Sequence, residues 1–380
     1  MKTKFNFYIE QLQDKISNAL ADLDGESVFK EDIWEREGGG GGRTRIIENG
    51  TIFEKGGVKV AVIGQHFPYT PIANPSYLVD GWSFGIRPEI IQKNINKAKK
   101  NGAEVVVLLS HNGFDVDQKL ASILDNVDVI LTGHTHDAIP RAIKIKNTLL
   151  LSSGSHGKYL GRIDLKVDNG KVVDFSSNLI PIFSDVIQPD PEMTRLIDKI
   201  REPYEEECNR VVGEAETLLY RRGNFGGPWD SVICDAIIQE RDTEISLSPG
   251  FRWGTTLLPG QKITIDDIYS QTSMNYPEVY RTEMNGETIK NLLEDVCDNI
   301  FNPDPFFQQG GDMVRVGGMT YTCQPKETMG NRISDLKLSN GEKIESQKKY
   351  TIGGWGSINP EVKGPPIYKL LEDYVSGEKI

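Results

Sequence analysis

Three histidines stand where they could hold a metal ion. His111 follows the apolar run EVVVLLS, residues 104–110, and His134 and His136 follow VDVILTG, residues 127–133, in the stretch LTGHTHDAIP. Runs of this length that are rich in β-branched residues read as buried strands. In an α/β sheet, ligands and metals collect just beyond the carboxyl ends of the strands. In an extended segment the i and i+2 side chains point the same way, so His134 and His136 are expected to reach into one cavity. Imidazole suits manganese, iron or zinc. A single histidine beside a strand is more often a hydrogen-bonded structural residue. Two strand-end clusters together, one of them His-x-His after glycine, favour the metal. His66 in GQHFPYTP and His156 in SGSHGKYLG have no such partners in the sequence and read as structural.

The elements that must position these residues follow from periodicity. Residues 58–64, VKVAVIG, read as a strand, 88–102 as an amphipathic helix closed by Gly102, 104–110 as a strand, 117–124 as a short helix and 127–133 as a strand. That alternation is α/β with parallel pairing. After residue 145 the pattern turns to strands, with a hairpin turn at Asn169-Gly170. The prolines of QPDPEMTRL mark a domain boundary, and a charged helix is expected over 191–212. The remainder reads as α+β, with helices over 229–240, 287–300 and 366–375. Upstream, residues 5–23 have helical spacing, and a glycine-rich stretch precedes a hairpin around Asn49-Gly50.

In the last domain, SPGFRWGTTLLPG puts Phe251, Arg252 and Trp253 on a loop, and an arginine between aromatics suits an anionic, planar or peptide-borne group. A surface turn with one buried tryptophan accounts for the same residues. The paired glycines of QQGGDMVRVGG, 308–318, permit close backbone approach, with Asp312 and Arg315 beside them.

Bulk properties narrow the function. The 380 residues carry a net charge of −12 with pI about 5.1, and 38% are hydrophobic. An acidic surface argues against nucleic acid, and no apolar run is long enough to span a membrane. The first 26 residues hold no signal-peptide core and no twin arginine, so the expected compartment is the cytoplasm. The four cysteines, Cys208, Cys234, Cys297 and Cys323, are widely spaced, which indicates buried apolar residues rather than a zinc knuckle or disulfide scaffold.

GHTHD after a buried strand, with SHNG upstream, resembles the carboxyl-terminal half of a calcineurin-like metallophosphoesterase domain. The segments VAVIGQHFPYTPIANP, WSFGIRPEI, SHNGFDVDQKLAS, LTGHTHDAIP, SPGFRWG and NIFNPDPFFQQGGDMVRVGG, dense and in order over about residues 58–380, resemble SoxB-type thiosulfohydrolases of the 5′-nucleotidase family. The resemblance implies a partial metallophosphoesterase sandwich (58–187) followed by an α+β 5′-nucleotidase carboxyl-terminal domain (188–380). It implies two divalent metal ions, manganese in this family, with His111 and His134 on one and His136 on the other. It places Arg252, Trp253, Asp312 and Arg315 at the substrate cleft. The substrate implied is a sulfonate on a cysteine persulfide, carried on the swinging peptide of a sulfur-carrier protein, and the compartment implied is the periplasm.

The amino-terminal ligands of that family, an Asp-x-His, a Gly-Asp and an Asn- or His-bearing loop, have no counterpart upstream of His111. In their place FKEDIWEREGGGGGRTRIIENGTIFEKGGV, 29–58, resembles the amino terminus of oxygen-dependent coproporphyrinogen oxidase, so residues 1–57 are expected to be a fused fragment of that type. The apolar faces of VKVAVIG, EVVVLLS and VDVILTG are then expected to be exposed, with a marginal metal domain and a well-folded last domain. The leading reading is a metal-dependent hydrolase impaired by truncation. The alternative is a non-catalytic module that binds the partner's peptide, with a porphyrinogen oxidase fragment a remote third.

Overall fold

Phe29–Glu35 (β1) and Gly41–Ile47 (β2) pair antiparallel across the glycine run, Glu35 opposite Gly41. This computed structural model describes residues 58–274, 276–359, 361–376 and 380, the backbone of 28–35 and 41–47, and isolated positions between 11 and 25. The expected helix over 5–23 falls mostly outside the described residues, although those described between 11 and 22 are helical. The expected hairpin at Asn49-Gly50 lies outside them.

The β-branched runs form the strands expected of them. Val60–Gln65 (β3), Val105–Ser110 (β4), Val129–Thr132 (β5), Ile143–Ile145 (β6) and Thr148–Ser152 (β7) make one sheet in the order β3-β4-β5-β7-β6. The first four in that order are parallel, and β6 is an antiparallel edge. Two amphipathic helices, Pro88–Lys100 and Phe114–Ile123, cover one face. Their Ile91, Ile95, Val116 and Leu120 pack on Val106, Leu108, Ile130 and Leu150, all essentially dry. Each such side chain contributes about 1.5–3 kcal/mol by leaving water.

The other face is covered unevenly. Tyr159–Asp168 (β8) and Lys171–Pro181 (β9) form a long hairpin turning at Asn169 and Gly170, both at positive φ, as the Asn-Gly pair predicts. Its Ile163, Leu165 and Phe175 pack on Val129, Leu149 and Leu151. Over β3 and β4 the cover stops: Val60, Val62 and Leu109 are 49%, 65% and 55% exposed. The expected exposed apolar face is therefore confined to β3 and the end of β4. VDVILTG is buried, because the hairpin lies over it.

The expected 191–212 helix ends at Arg201. A 3-10 turn, Glu202–Tyr204, and a short helix, Glu205–Cys208, follow. Pro203 supplies no amide hydrogen and breaks the ladder there.

The last unit is built on the sheet β13-β17-β11-β14, with strands Tyr280–Asn285 (β13), Lys349–Gly354 (β17), Ile245–Ser248 (β11) and Arg315–Gly317 (β14). Two small pairs flank it: Val211–Glu214 (β10) with Lys262–Thr264 (β12), and Met319–Cys323 (β15) with Ile333–Leu338 (β16). One core gathers Trp229, Ile233 and Ile237 of the Pro228–Arg241 helix with Leu371 of the Ile367–Val375 helix. A second lies between the Gly286–Phe301 helix and the sheet, around Leu293, Cys297, Ile352 and Tyr350. Of the cysteines, Cys234 and Cys297 are buried as expected, whereas Cys208 and Cys323 are only half-buried, near element ends.

Between these cores runs a chain of buried charges. Arg221 donates to Asp230 at 2.8 Å, Asp230 faces Arg315 Nε at 3.3 Å, and Arg315 donates to Asp312 at 2.8 Å. Asp312 faces Arg252 Nε at 3.8 Å. The Arg221, Asp230, Asp312 and Arg315 side chains are each at most 4% exposed. Arg221 spends its other nitrogens on the carbonyls of Gln271 and Pro249, and Asp230 also accepts from the amide of Gly227 at the helix start. Removing one partner from such a chain strands the others in low dielectric. Asp230→Ala is expected to destabilise this unit by about 3–5 kcal/mol in denaturant unfolding; a loss under about 1 kcal/mol would contradict the account.

Candidate active site

Register assembles the site. Gln65, Ser110, Thr132 and Ser152 stand opposite one another in one row across β3, β4, β5 and β7. All five histidines of the chain follow that row: His66, His111, His134, His136 and His156. Parallel strands with matched ends bring these loops to one edge of the sheet.

The loops sort the rings into two pairs. The His111 and His134 rings lie 5.3 Å apart, and those of His136 and His156 lie 5.5 Å apart. Phe67 packs against His134 with ring centroids 4.3 Å apart. The expectation that His134 and His136 share an extended segment is corrected here. Both have positive φ, 83° and 60°, so the loop is coiled rather than extended, and each ring packs beside a different histidine, His134 beside His111 and His136 beside His156. His156, read as structural from the sequence, is the neighbour of His136; its place after β7 in the row was the signal.

Each histidine has a physical setting. Burial lowers the pKa of His111 and, more strongly surrounded, of His134. His134 Nε2 lies 2.9 Å from the Gln309 carbonyl, an approach that glycine at 310 allows: a Cβ there would come within 2.8 Å of the ring. His136 is pushed down to about 4, first by burial and then by Arg252, His156 and Arg222. Its Nδ1 is buried with no hydrogen-bond partner.

Beneath His111 sits a polar anchor. Asp117 is fully buried and accepts from Ser110 Oγ at 2.8 Å and Asn112 Nδ2 at 3.0 Å. Burial raises its carboxyl from 3.8 to about 6. Across the loop, Phe114 N donates to Thr135 Oγ1 at 3.0 Å. These bonds fix the SHNG turn against the GHTHD turn.

The last unit closes over this edge. Arg252 donates to the Thr135 carbonyl at 2.7 Å, between the two histidines of the motif, and burial lowers its pKa. Lys119 pairs with Asp304 at 2.6 Å and lies over the Phe306 ring, while the Tyr69 hydroxyl donates to the Phe306 carbonyl. The cleft so formed encloses about 950 Å³. Asn112, Asp115 and Asp137 line it from one side and Asn224, Arg252 and Asp312 from the other. Of the residues expected in the cleft, Arg252 and Asp312 reach it. Arg315 lies behind Asp312 and lines a separate cavity, and Trp253 stacks on Phe251 at 3.8 Å.

The unpartnered His136 nitrogen is a free donor for a metal. The set as a whole does not make a centre: among the described residues, no three His, Cys, Asp or Glu side chains converge closely enough to hold a metal ion. His134 Nε2 is already engaged by Gln309. The three expected histidine ligands thus share an edge of the sheet without forming a complete site.

The fold and the cleft define a metallophosphoesterase-type α/β unit followed by a 5′-nucleotidase-type carboxyl-terminal unit. Residues 211–356 match the family described as 5′-nucleotidase, C-terminal domain, and residues 4–84 match coproporphyrinogen III oxidase, a match that runs through β3. The structure superposes on a sulfate thiohydrolase SoxB of Thermus thermophilus with TM-score 0.80 and 33% identity, covering 83% of this chain and 60% of that one. A trifunctional nucleotide phosphoesterase of Bacillus subtilis is 26% identical over 63% of this chain and 17% of its own length. A 5′-nucleotidase of Diplobatis ommata is 26% identical over 50% of this chain and 36% of its own. The chain therefore spans less than two thirds of each of these proteins, all of which are hydrolases by name. It resembles SoxB over its larger part and coproporphyrinogen oxidase at its beginning. No helix among the described residues is long and apolar enough to cross a membrane.

Two outcomes test this geometry. Asp117→Ala leaves the Ser110 and Asn112 donors unpaired and is expected to cost about 2–4 kcal/mol in denaturant unfolding. Folded Asp117 keeps its proton up to about pH 6, whereas the free carboxyl releases it near 3.8, so its contribution to stability falls as pH rises through that window. Asp117→Asn keeps the acceptor and is expected to lose that pH slope. In chelator-treated protein, the His136 imidazole is expected to stay neutral down to about pH 5 and to titrate near 4 by NMR. Because the free imidazole takes its proton near 6.5, this residue lowers stability as pH falls from 6.5 towards 4.

Proposed function

We propose that residues 58–380 form the body of a SoxB-like hydrolase whose cleft takes a thiosulfonate, a sulfonate borne on the outer sulfur of a cysteine persulfide, on a sulfur-carrier protein's swinging peptide. In the reaction, water adds to the sulfonate sulfur as its bond to the carrier's outer sulfur breaks, giving sulfate, a proton and a cysteine persulfide. The observation that carries the reading is Arg252, mostly buried, anchored on the Thr135 carbonyl between His134 and His136, and lining a cleft of about 950 Å³. A guanidinium fixed there is suited to a three-oxygen anion. The 33% identity to the thiohydrolase supports a sulfonate over a nucleotide.

The metal pair implied by the resemblance, manganese in type, would draw on His111, His134 and His136. The described residues offer no convergent carboxylate to complete it, and that favours a second reading: a module that binds the carrier's peptide without cleaving it.

One experiment separates these. A cysteine S-thiosulfonate peptide is titrated calorimetrically into manganese-loaded full chain, with metal analysis and sulfate release measured on the same sample. Binding with about two metals per chain and sulfate release supports the hydrolase; binding without either supports the module. Arg252→Ala is expected to weaken binding about tenfold or more. Failure of the peptide to bind, or tighter binding of a nucleoside monophosphate, would overturn the substrate assignment.

A further inference from the structure

Two cysteines meet beside segments that wall the cleft. Cys297, in the Gly286–Phe301 helix, has its sulfur 3.6 Å from that of Cys323, the last residue of β15. Cys297 is fully buried and Cys323 is half-buried. Each residue is closely followed by a segment that lines the cleft: Asp298 and Ile300–Pro303 directly after the first, Pro325–Met329 one residue beyond the second. The two segments are already tied. Arg332 pairs with Asp298 at 2.6 Å, and the Glu294 carboxylate accepts from the amides of Gly330 and Ile333, each at 2.8 Å. These polar ties hold the helix against the β15–β16 pair and keep the sulfurs in register.

We propose that Cys297 and Cys323 are an oxidisable pair whose disulfide fixes this wall of the cleft. Closing the bond requires the sulfurs to move from 3.6 Å to about 2.05 Å, a shift within the reach of side-chain rotation. The half-buried Cys323, as thiolate, attacks a small dithio oxidant R–S–S–R and releases one R–SH. Cys297 then attacks the Cys323 sulfur and releases the second R–SH. The pair loses two electrons and two protons, and the oxidant gains both. Burial pushes the Cys297 thiol up, consistent with this order of attack. The proposal is independent of the substrate reading, since it concerns the wall and not what the cleft holds.

The test uses the full chain with excess oxidised glutathione, followed by denaturation, alkylation and peptide mass spectrometry without reductant. A Cys297–Cys323 crosslinked peptide is expected, with free thiols falling from the four of the sequence to two. Amide exchange across 324–332 is expected to slow, and the unfolding midpoint to rise by about 5 °C or more. Four free thiols, or a glutathione adduct that stops on Cys323, would overturn the pairing. Cys323→Ser, a conservative change at a half-buried strand end, is expected to abolish both the crosslink and the slowed exchange. Slowed exchange that persists in that variant would overturn the wall-fixing role.

Discussion

Five charged side chains, Arg221, Asp230, Arg315, Asp312 and Arg252, set the shape of the carboxyl-terminal unit and its reach toward the sheet. A buried charge is tolerated only beside an opposite one, so each member dictates where the next must lie. The chain starts at the helix beginning with Pro228, crosses β14 and ends at Arg252 on the Thr135 carbonyl. It therefore links the packing of one unit to the histidine loop of the other. Three arginines against two aspartates give the chain one net positive charge, and of the three only Arg252 lines the cleft.

The amino-terminal unit is held together in a different way. Strands β5 and β7 are largely buried on both faces, because helices cover one side and the β8–β9 hairpin the other. Toward β3 the hairpin no longer reaches, and valines meet solvent. The aromatic rings at the strand ends show the same gradation: the loops after β4 and β5 carry the paired rings of His111 and His134, while the loop after β3 supplies Phe67 as a packing partner.

Much of this was legible in the sequence. The runs VKVAVIG, EVVVLLS and VDVILTG announced parallel strands, and Asn169-Gly170 announced its hairpin, because local pattern and tertiary environment agree there. The boundary at Arg201 was less visible, although Pro203 carried the signal. The histidine geometry was not legible. Alternation in a strand implies that i and i+2 side chains agree, but beyond the strand end the φ angles of His134 and His136 turn positive and the rule lapses. The pairing of His136 with His156 depends on β7 lying beside β5, a fact of topology. Likewise, nothing in the spacing of Asp230, Asp312 and Arg315 marks them as buried; their burial comes from the meeting of the helix with β14.

Left-handed backbone at two L-residues in one short loop is an unfavourable conformation, on the order of 1–3 kcal/mol at each. The surroundings must supply that energy, and two of the supports, the Arg252 bond to Thr135 and the Gln309 carbonyl on His134, come from across the cleft. Opening the cleft removes both at once. The loop then has reason to relax, so access to the cleft and the arrangement of the histidines form a single thermodynamic event: a molecule that draws the two units together also organises the residues waiting for it.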